Sequence, residues 1–368
     1  MSLETLFEPV RFGDLTLRNR TVMAPMTRRF SPGGTPGEDV AGYYLRRAEG
    51  GVGAVMTEGL EIDHPVSVYD AAIPNFFRAP ALAAWAGIAR RVQAAGAAFI
   101  PQFWHVGGFR ATVPNPPNSA AGAMSPSGVY VPGQPYGDPA SEKDIESVVL
   151  AYGRAARAAF AMGCDGIEIH GAHGYLIDQF FWDATNLRTD PYGGALEGRL
   201  RFARAIIARC RRETSPSFPI FFRFSQWKLQ DYTARPFTTP AALAAFLEPL
   251  TEAGVDVFDC STRRFWQPEF EGSDLNLAGW ARKISGKPAM TVGSVGLDND
   301  VVASMRGGAP ASGAAGLDEL GRMLERGDFD LVGIGRSLLS DPDWVGKVRS
   351  GATTGLRGFS VADLEVLT

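Results

Sequence analysis

What this chain has little of narrows it first. Its 368 residues include only three cysteines and four histidines. Cys164, Cys210 and Cys260 stand far apart, so neither a disulfide framework nor a Cys-x-x-Cys metal or redox pair is encoded, which fits a reducing compartment. Each reads as a small core residue. No block of like charge interrupts a balance of 36 basic against 40 acidic residues, which argues against nucleic acid or an anionic membrane as the main partner. No apolar run is long enough to cross a bilayer, and the opening MSLETLFEPVRF has no secretory-signal pattern, so the expected location is cytoplasmic. At 45% hydrophobic and 21% charged, the composition is that of a globular chain with a sizeable core.

What is there is a rhythm of strand and helix. An opening hairpin (Val10 to Phe12, turn Gly13-Asp14, Leu15 to Leu17) precedes strands expected at Thr21 to Met26, Gly53 to Thr57 and Ala98 to Trp104. Further strands follow at Asp165 to His170, Pro219 to Ser225, Asp256 to Ser261, Pro288 to Gly293 and Asp330 to Gly335. Helical patterns stand after them, among them Glu38 to Glu49, Pro80 to Ala95, Glu142 to Met162, Leu196 to Glu213 and Pro240 to Ala253. Eight such units in one chain predict an α/β fold, a single (β/α)8 TIM barrel over 1–368 with an N-terminal hairpin and a long Pro/Gly-rich loop, His105 to Ala140, after the third strand. A doubly wound open sheet shows the same alternation and is the competing fold.

In a barrel the chemistry stands at the carboxyl ends of the strands. The fourth strand ends DGIEIHGAHGYLI, and strand parity puts Glu168 and His170 on one face. Glycines at 166, 171 and 174 then allow a tight turn that crowds His173 and Tyr175 beside His170. Taken alone, this stretch allows a metal pair at i, i+3, an acid–base site, or satisfied structural residues; no third metal ligand stands nearby in sequence. Glycines 293 and 335 with Ser294 and Arg336, after strands seven and eight, resemble a phosphate cradle. Gln102 and Thr27 suit the polar edge of a planar heterocycle, and Arg223 suits negative charge on it. A planar edge with one phosphate favours flavin mononucleotide (FMN) over a dinucleotide.

These residues resemble the Old Yellow Enzyme family of FMN-dependent reductases of activated alkenes. The likeness runs from Leu6-Phe7-Glu8-Pro9 to Asp341-Pro342-Asp343. It is most specific at Ala24 to Thr27, at His170-Gly-Ala-His173-Gly-Tyr175 with Asn186 to Gly194, and at Gly335-Arg336. The resemblance implies that Pro25, Met26, Thr27, Gly59, Gln102 and Arg223 surround the flavin ring, and that Gly293, Ser294, Gly335 and Arg336 hold its phosphate. It implies that His170 and His173 bind the substrate's oxygen and that Tyr175 donates the proton, with Tyr69 and Trp104 lining the pocket. The expected partners are a small activated alkene and NADPH or NADH as hydride donor, with no metal; the apolar tail residues Leu356, Phe359, Val361 and Leu364 are expected to dock on the barrel or on a neighbouring subunit, which leaves a homo-oligomer open. Where family members often carry Gly-Arg after the third strand, this chain reads Val106-Gly107-Gly108-Phe109, so its covering loop is expected to shape the pocket differently. No cysteine-rich cluster motif follows the barrel, so reactions that depend on an iron–sulfur cluster are not expected. Two readings of other classes compete: a cofactor-free barrel hydrolase with Glu58 and Glu168 as an acid–base pair, and a barrel that binds a phosphorylated ligand without turnover.

Overall fold

A computed structural model describes residues 3–299 and 312–368. Eight parallel strands close on themselves: β1 (Thr21–Met23), β2 (Ala54–Glu61), β3 (Ala98–Trp104), β4 (Ile167–His170), β5 (Ile220–Phe224), β6 (Val257–Ser261), β7 (Ala289–Val292) and β8 (Leu331–Ile334). Closure is made where Val332, Gly333 and Ile334 of β8 pair with Thr21, Val22 and Met23 of β1, which leaves the barrel sheet without an edge. The barrel, not the open sheet, is the fold. Most of these strands are buried along their whole length, as the near-continuous apolar runs require of strands covered on both faces.

The first strand stops at Met23, three residues short of the expectation. Ala24 still donates its N–H to the Ile334 carbonyl at 2.9 Å, but Pro25 has no N–H with which to extend the ladder. Pro25, Met26 and Thr27 are thereby freed to line the barrel mouth. The long helices match their sequence patterns closely: Glu38–Glu49, Ala79–Ala94, Glu142–Met162, Leu196–Glu213 and Pro240–Ala253. Their starts have physical causes. Ser141 and Asp144 form a reciprocal capping box, and Thr239 and Asn276 accept from the amides of Ala242 and Gly279; each such cap contributes about 1 kcal/mol.

Inside the barrel, Val22, Ala54, Met56, Ile100, Phe221, Val257, Met290 and Leu331 form an apolar plug, and Leu15 and Leu17 of the hairpin pack onto it. The hairpin therefore stoppers one end. The other end, where the strands finish, is left for polar side chains.

Candidate active site

The backbone after β4 is held in a conformation that side chains seldom take. His173 has φ +63° and Gly174 φ +77°, and a Cβ on Gly174 would stand 1.9 Å from Gln230 Oε1. A non-glycine residue in the left-handed region costs about 1–3 kcal/mol unless its surroundings hold it there. Here they do: His173 N donates to Ser225 Oγ at 2.9 Å, its carbonyl accepts from Leu229 N at 3.2 Å, and Gly174 N donates to Asp178 Oδ2 at 2.7 Å. Asp178 in turn takes a fully buried ion pair from Lys228 Nζ at 2.6 Å.

This turn gathers the expected trio. The ring centroids of His170 lie 5.0 Å from His173 and 5.1 Å from Tyr175, both edge-on. Burial drives both imidazoles well below the usual histidine range, and Arg223 adds to the effect, so both are neutral at physiological pH. His170 Nδ1 accepts from Ala172 N at 3.3 Å, which assigns its proton to Nε2. His173 Nε2 lies 2.8 Å from Ser261 Oγ, and the ring stacks on Trp227 at 4.3 Å. Burial pushes the Tyr175 hydroxyl well above its ordinary value, so it keeps its proton.

Two aromatic walls complete this side. Trp104 meets Tyr175 edge-on at 4.8 Å and Tyr69 at 6.0 Å; from the long loop, Phe109 meets Tyr69 at 5.1 Å and Tyr175 at 5.8 Å. The loop is pinned by Arg110, whose guanidinium donates to the carbonyls of Val68, Gly122 and Asn118. Gly59 lies under this wall, where a Cβ would come within 2.5 Å of the Trp104 ring.

Beside the trio opens a cavity with about 960 Å³ of empty space, its open mouth included, enough for a cofactor-sized ligand. Its walls bring together Pro25, Met26, Thr27, His173, Arg223, Gly293, Ser294, Gly335 and Arg336 from positions spread over most of the chain. The residues present fit FMN. Arg336 donates to Ser294 Oγ at 3.0 Å, Ser294 itself holds φ +56°, and Gly335 faces Met26, whose Sδ would stand 3.5 Å from a Cβ there. A second guanidinium, Arg223, stands 3.3 Å from Ser261 Oγ among the apolar walls Ala24, Met26 and Val292. Cations with hydroxyls and close-approach glycines around an apolar slot match a flat ring that carries a phosphate.

Two expected cofactor residues, Gly59 and Gln102, stand off this wall. Gln102 Nε2 donates one of its two hydrogens to Glu168 Oε2 at 2.6 Å, and its Oε1 is an acceptor that this bond does not use. Glu168 does point into the barrel, and its partners are Gln102 and Asp259. The carboxyls of the alternative acid–base pair have separate employment: Glu58 accepts from the amides of Arg28 at 2.9 Å and Arg29 at 3.1 Å, and burial raises it to about 7. Among the described residues no cluster of three or more His, Cys, Asp or Glu could hold a metal ion.

Sequence reasoning missed Ser261, Trp227 and Arg263 on the cavity wall; Leu364, one of the tail residues expected to dock on the barrel or on a neighbour, reaches that wall too. The tail lies on its own barrel: Arg28 donates to the carbonyls of Asp363, Leu364 and Val366, and Phe359 is buried. In the segment after β6, Thr262 and Arg263 line the cavity, whereas Phe265 turns into the core. Asp259 and Ser261 had a signal, being polar at alternate positions of an otherwise apolar strand; Trp227 had none.

This geometry has counterparts. The chain is 31% identical over 364 residues to an NADH oxidase of Thermoanaerobacter brockii, covering 96% of this chain and 52% of that protein. It is 31% identical over 372 residues to 12-oxophytodienoate reductase 7 of Oryza sativa subsp. japonica, covering 94% and 88%. It thus spans about half the length of curated relatives such as the NADH oxidase. The fold superposes on an old yellow enzyme homologue from Zymomonas mobilis with a TM-score of 0.78 at 25% identity, over 98% of this chain and 96% of that one. Among the described residues no helix is long and apolar enough to cross a membrane. The family match bears out FMN as cofactor. With residues 5–354 matching the family model, the chain belongs to the NADH:flavin oxidoreductase / NADH oxidase family.

Proposed function

We propose that the chain is an FMN-dependent ene-reductase, acting on alkenes conjugated with a carbonyl or nitro group. The observation that carries this reading is the grouping of two neutral imidazoles and one protonated tyrosine, of which His173 lines a cavity that carries three arginines. Relatives named NADH oxidase and 12-oxophytodienoate reductase support a nicotinamide donor and an unsaturated oxo compound as acceptor class.

In this reading Pro25, Met26, Thr27, Gly59, Gln102 and Arg223 hold the ring of FMN, and Gly293, Ser294, Gly335 and Arg336 its phosphate. The chemistry FMN supplies when bound is hydride transfer, from NADH or NADPH to the β-carbon of the alkene. His170 Nε2–H binds the substrate's oxygen, where negative charge grows as hydride arrives at the β-carbon. Ser261 Oγ accepts from Arg223, which leaves its own proton for His173 Nε2 and sets the other imidazole proton on Nδ1 as a second donor. Tyr175 gives its O–H proton to the α-carbon and is reprotonated from solvent between turnovers. Tyr69, Trp104 and Phe109 exclude water from that step and bound the substrate's shape.

The test is anaerobic. Purified protein should carry oxidised-flavin absorbance, lose it on adding NADPH or NADH, and regain it on adding 2-cyclohexenone. A protein that takes up no FMN, or whose reduced flavin ignores enones and nitroalkenes alike, contradicts the reading.

A further inference from the structure

A second pocket opens beside the flavin cavity, with about 710 Å³ of empty space, mouth included. The two share a wall made of Trp227, Ser261, Thr262 and Arg263. The second lining brings three guanidiniums, Arg235, Arg263 and Arg264, to one pocket with the carboxylate of Glu269, which accepts from Gln226 and Arg235. It is also aromatic. Tyr232, 38% exposed, stacks on Trp227 at 5.6 Å and 16°, and the Arg263 guanidinium lies 5.5 Å above the Tyr232 ring. Trp227 then stacks on His173, so a continuous aromatic face leads from this pocket to the trio.

A dinucleotide that delivers hydride must place its nicotinamide ring in the flavin cavity while its diphosphate and adenosine leave the cavity by an open side. Among the pockets found in the described residues, this one shares that cavity's wall; the cavity under the long loop, lined by His64, Arg110, Asp138 and Asp144, shares no lining residue with it. Guanidinium forks match phosphate oxygens in pairs, and an aromatic face receives a nucleoside. We infer that the pocket bounded by Tyr232, Arg235, Arg263 and Arg264 binds the adenosine-diphosphate half of the nicotinamide dinucleotide. The inference rests on the proposed function, since it names where that reaction's hydride donor docks.

The experiment compares wild-type holoenzyme with the Arg235→Gln/Arg264→Gln double variant. In the anaerobic reductive half-reaction the double variant should raise the Kd for NADPH and NADH by about tenfold or more while its limiting rate stays within about twofold. Reduced nicotinamide mononucleotide, which lacks the adenylate, should bind both proteins equally, and reoxidation by 2-cyclohexenone should not change. Calorimetry on the holoenzymes gives a readout apart from turnover: ADP or 2′,5′-ADP should bind the wild type and be lost from the variant. Equal weakening of dinucleotide and mononucleotide, or undiminished ADP binding by the variant, overturns the inference. Should the double variant fail to fold, the wild type decides alone, because ADP must compete with NADPH and leave the mononucleotide unaffected. A wild-type holoenzyme reduced by none of the three donors contradicts the proposed function instead.

Discussion

Four polar side chains from adjacent strands meet below the site: Gln102 of β3, Glu168 of β4, Arg223 of β5 and Asp259 of β6. Arg223 Nε stands 3.5 Å from Asp259 Oδ2, and all four residues are buried. Glu168 Oε1 and the two Asp259 oxygens have no hydrogen-bond partner among the described residues, so a proton held on one carboxyl would serve the other. Burial and the neighbouring Asp259 raise Glu168 well above its ordinary value, whereas Arg223 and the bond from Glu168 oppose the rise that burial causes at Asp259. The proton therefore belongs to Glu168, and Asp259 is the counter-charge of Arg223. Glu168→Gln, which swaps one neutral group for another, should cost less than about 1 kcal/mol. Asp259→Leu strands a buried guanidinium and should cost about 3–5 kcal/mol. Urea unfolding of the two variants checks the order; a larger loss from Glu168→Gln would put the proton on Asp259. Glu168 was legible from strand parity as sharing a face with His170, and Arg223 as a cation at the end of its strand, but the cluster they join was not, because it depends on which strand ends up beside which.

At the scale of elements, the turn after β4 is held by the stretch 225–229, some fifty residues further along the chain. Lys228 donates to Asp178 and to the Ser225 carbonyl, and Asp178 holds the Gly174 amide. Lys228→Met removes one partner of a fully buried pair and should destabilise the protein by about 3–5 kcal/mol. The same variant should slow flavin reoxidation by enone more than reduction by NADPH, since it loosens the turn that aims His173 and Tyr175. Thermal denaturation with the two half-reaction rates checks both, and an equal change in the two rates would detach the ion pair from the turn. Local signals located the helices well, because apolar period, capping residues and Pro at a first turn act within a few positions of one another. They located the His170–Tyr175 turn for the same reason, through Gly171 and Gly174. They gave no view of Lys228 with Asp178, of Arg110 with the loop carbonyls, or of Arg28 with the tail, where a buried charge is explained only by its distant partner. The stretch 300–311 lies outside the described residues; beyond it a helix runs over Leu317–Arg326.

Over the whole molecule, burial decides how stability responds to acid. All four histidines are held below their ordinary range, His64 at about 4 and His105, His170 and His173 well below 6.5, each first through burial. The unfolded chain binds those protons below about 6.5 and the folded chain does not, so their contribution to stability is present above that pH and lost as pH falls. Glu58 and Glu61, both raised to about 7 by burial, act oppositely: they favour the folded state below 4.5 and lose that contribution as pH rises toward 7. The two effects offset one another between 4.5 and 7, and below 4.5 the histidines act alone among these groups. The midpoint of thermal unfolding should change little from pH 7 to 5 and fall steeply from pH 4.5 to 3; an unchanged midpoint down to pH 3 would mean that the imidazoles charge in the folded protein without cost.

The most direct trial of the proposed chemistry follows Tyr175 through the two half-reactions separately. In the Tyr175→Phe holoenzyme, stopped-flow reduction by NADPH should proceed within about twofold of wild type, while anaerobic reoxidation by 2-cyclohexenone should slow by about 10²-fold or more, as the loss of a general acid requires. Equal slowing of both half-reactions, or reoxidation at the wild-type rate, would contradict the account.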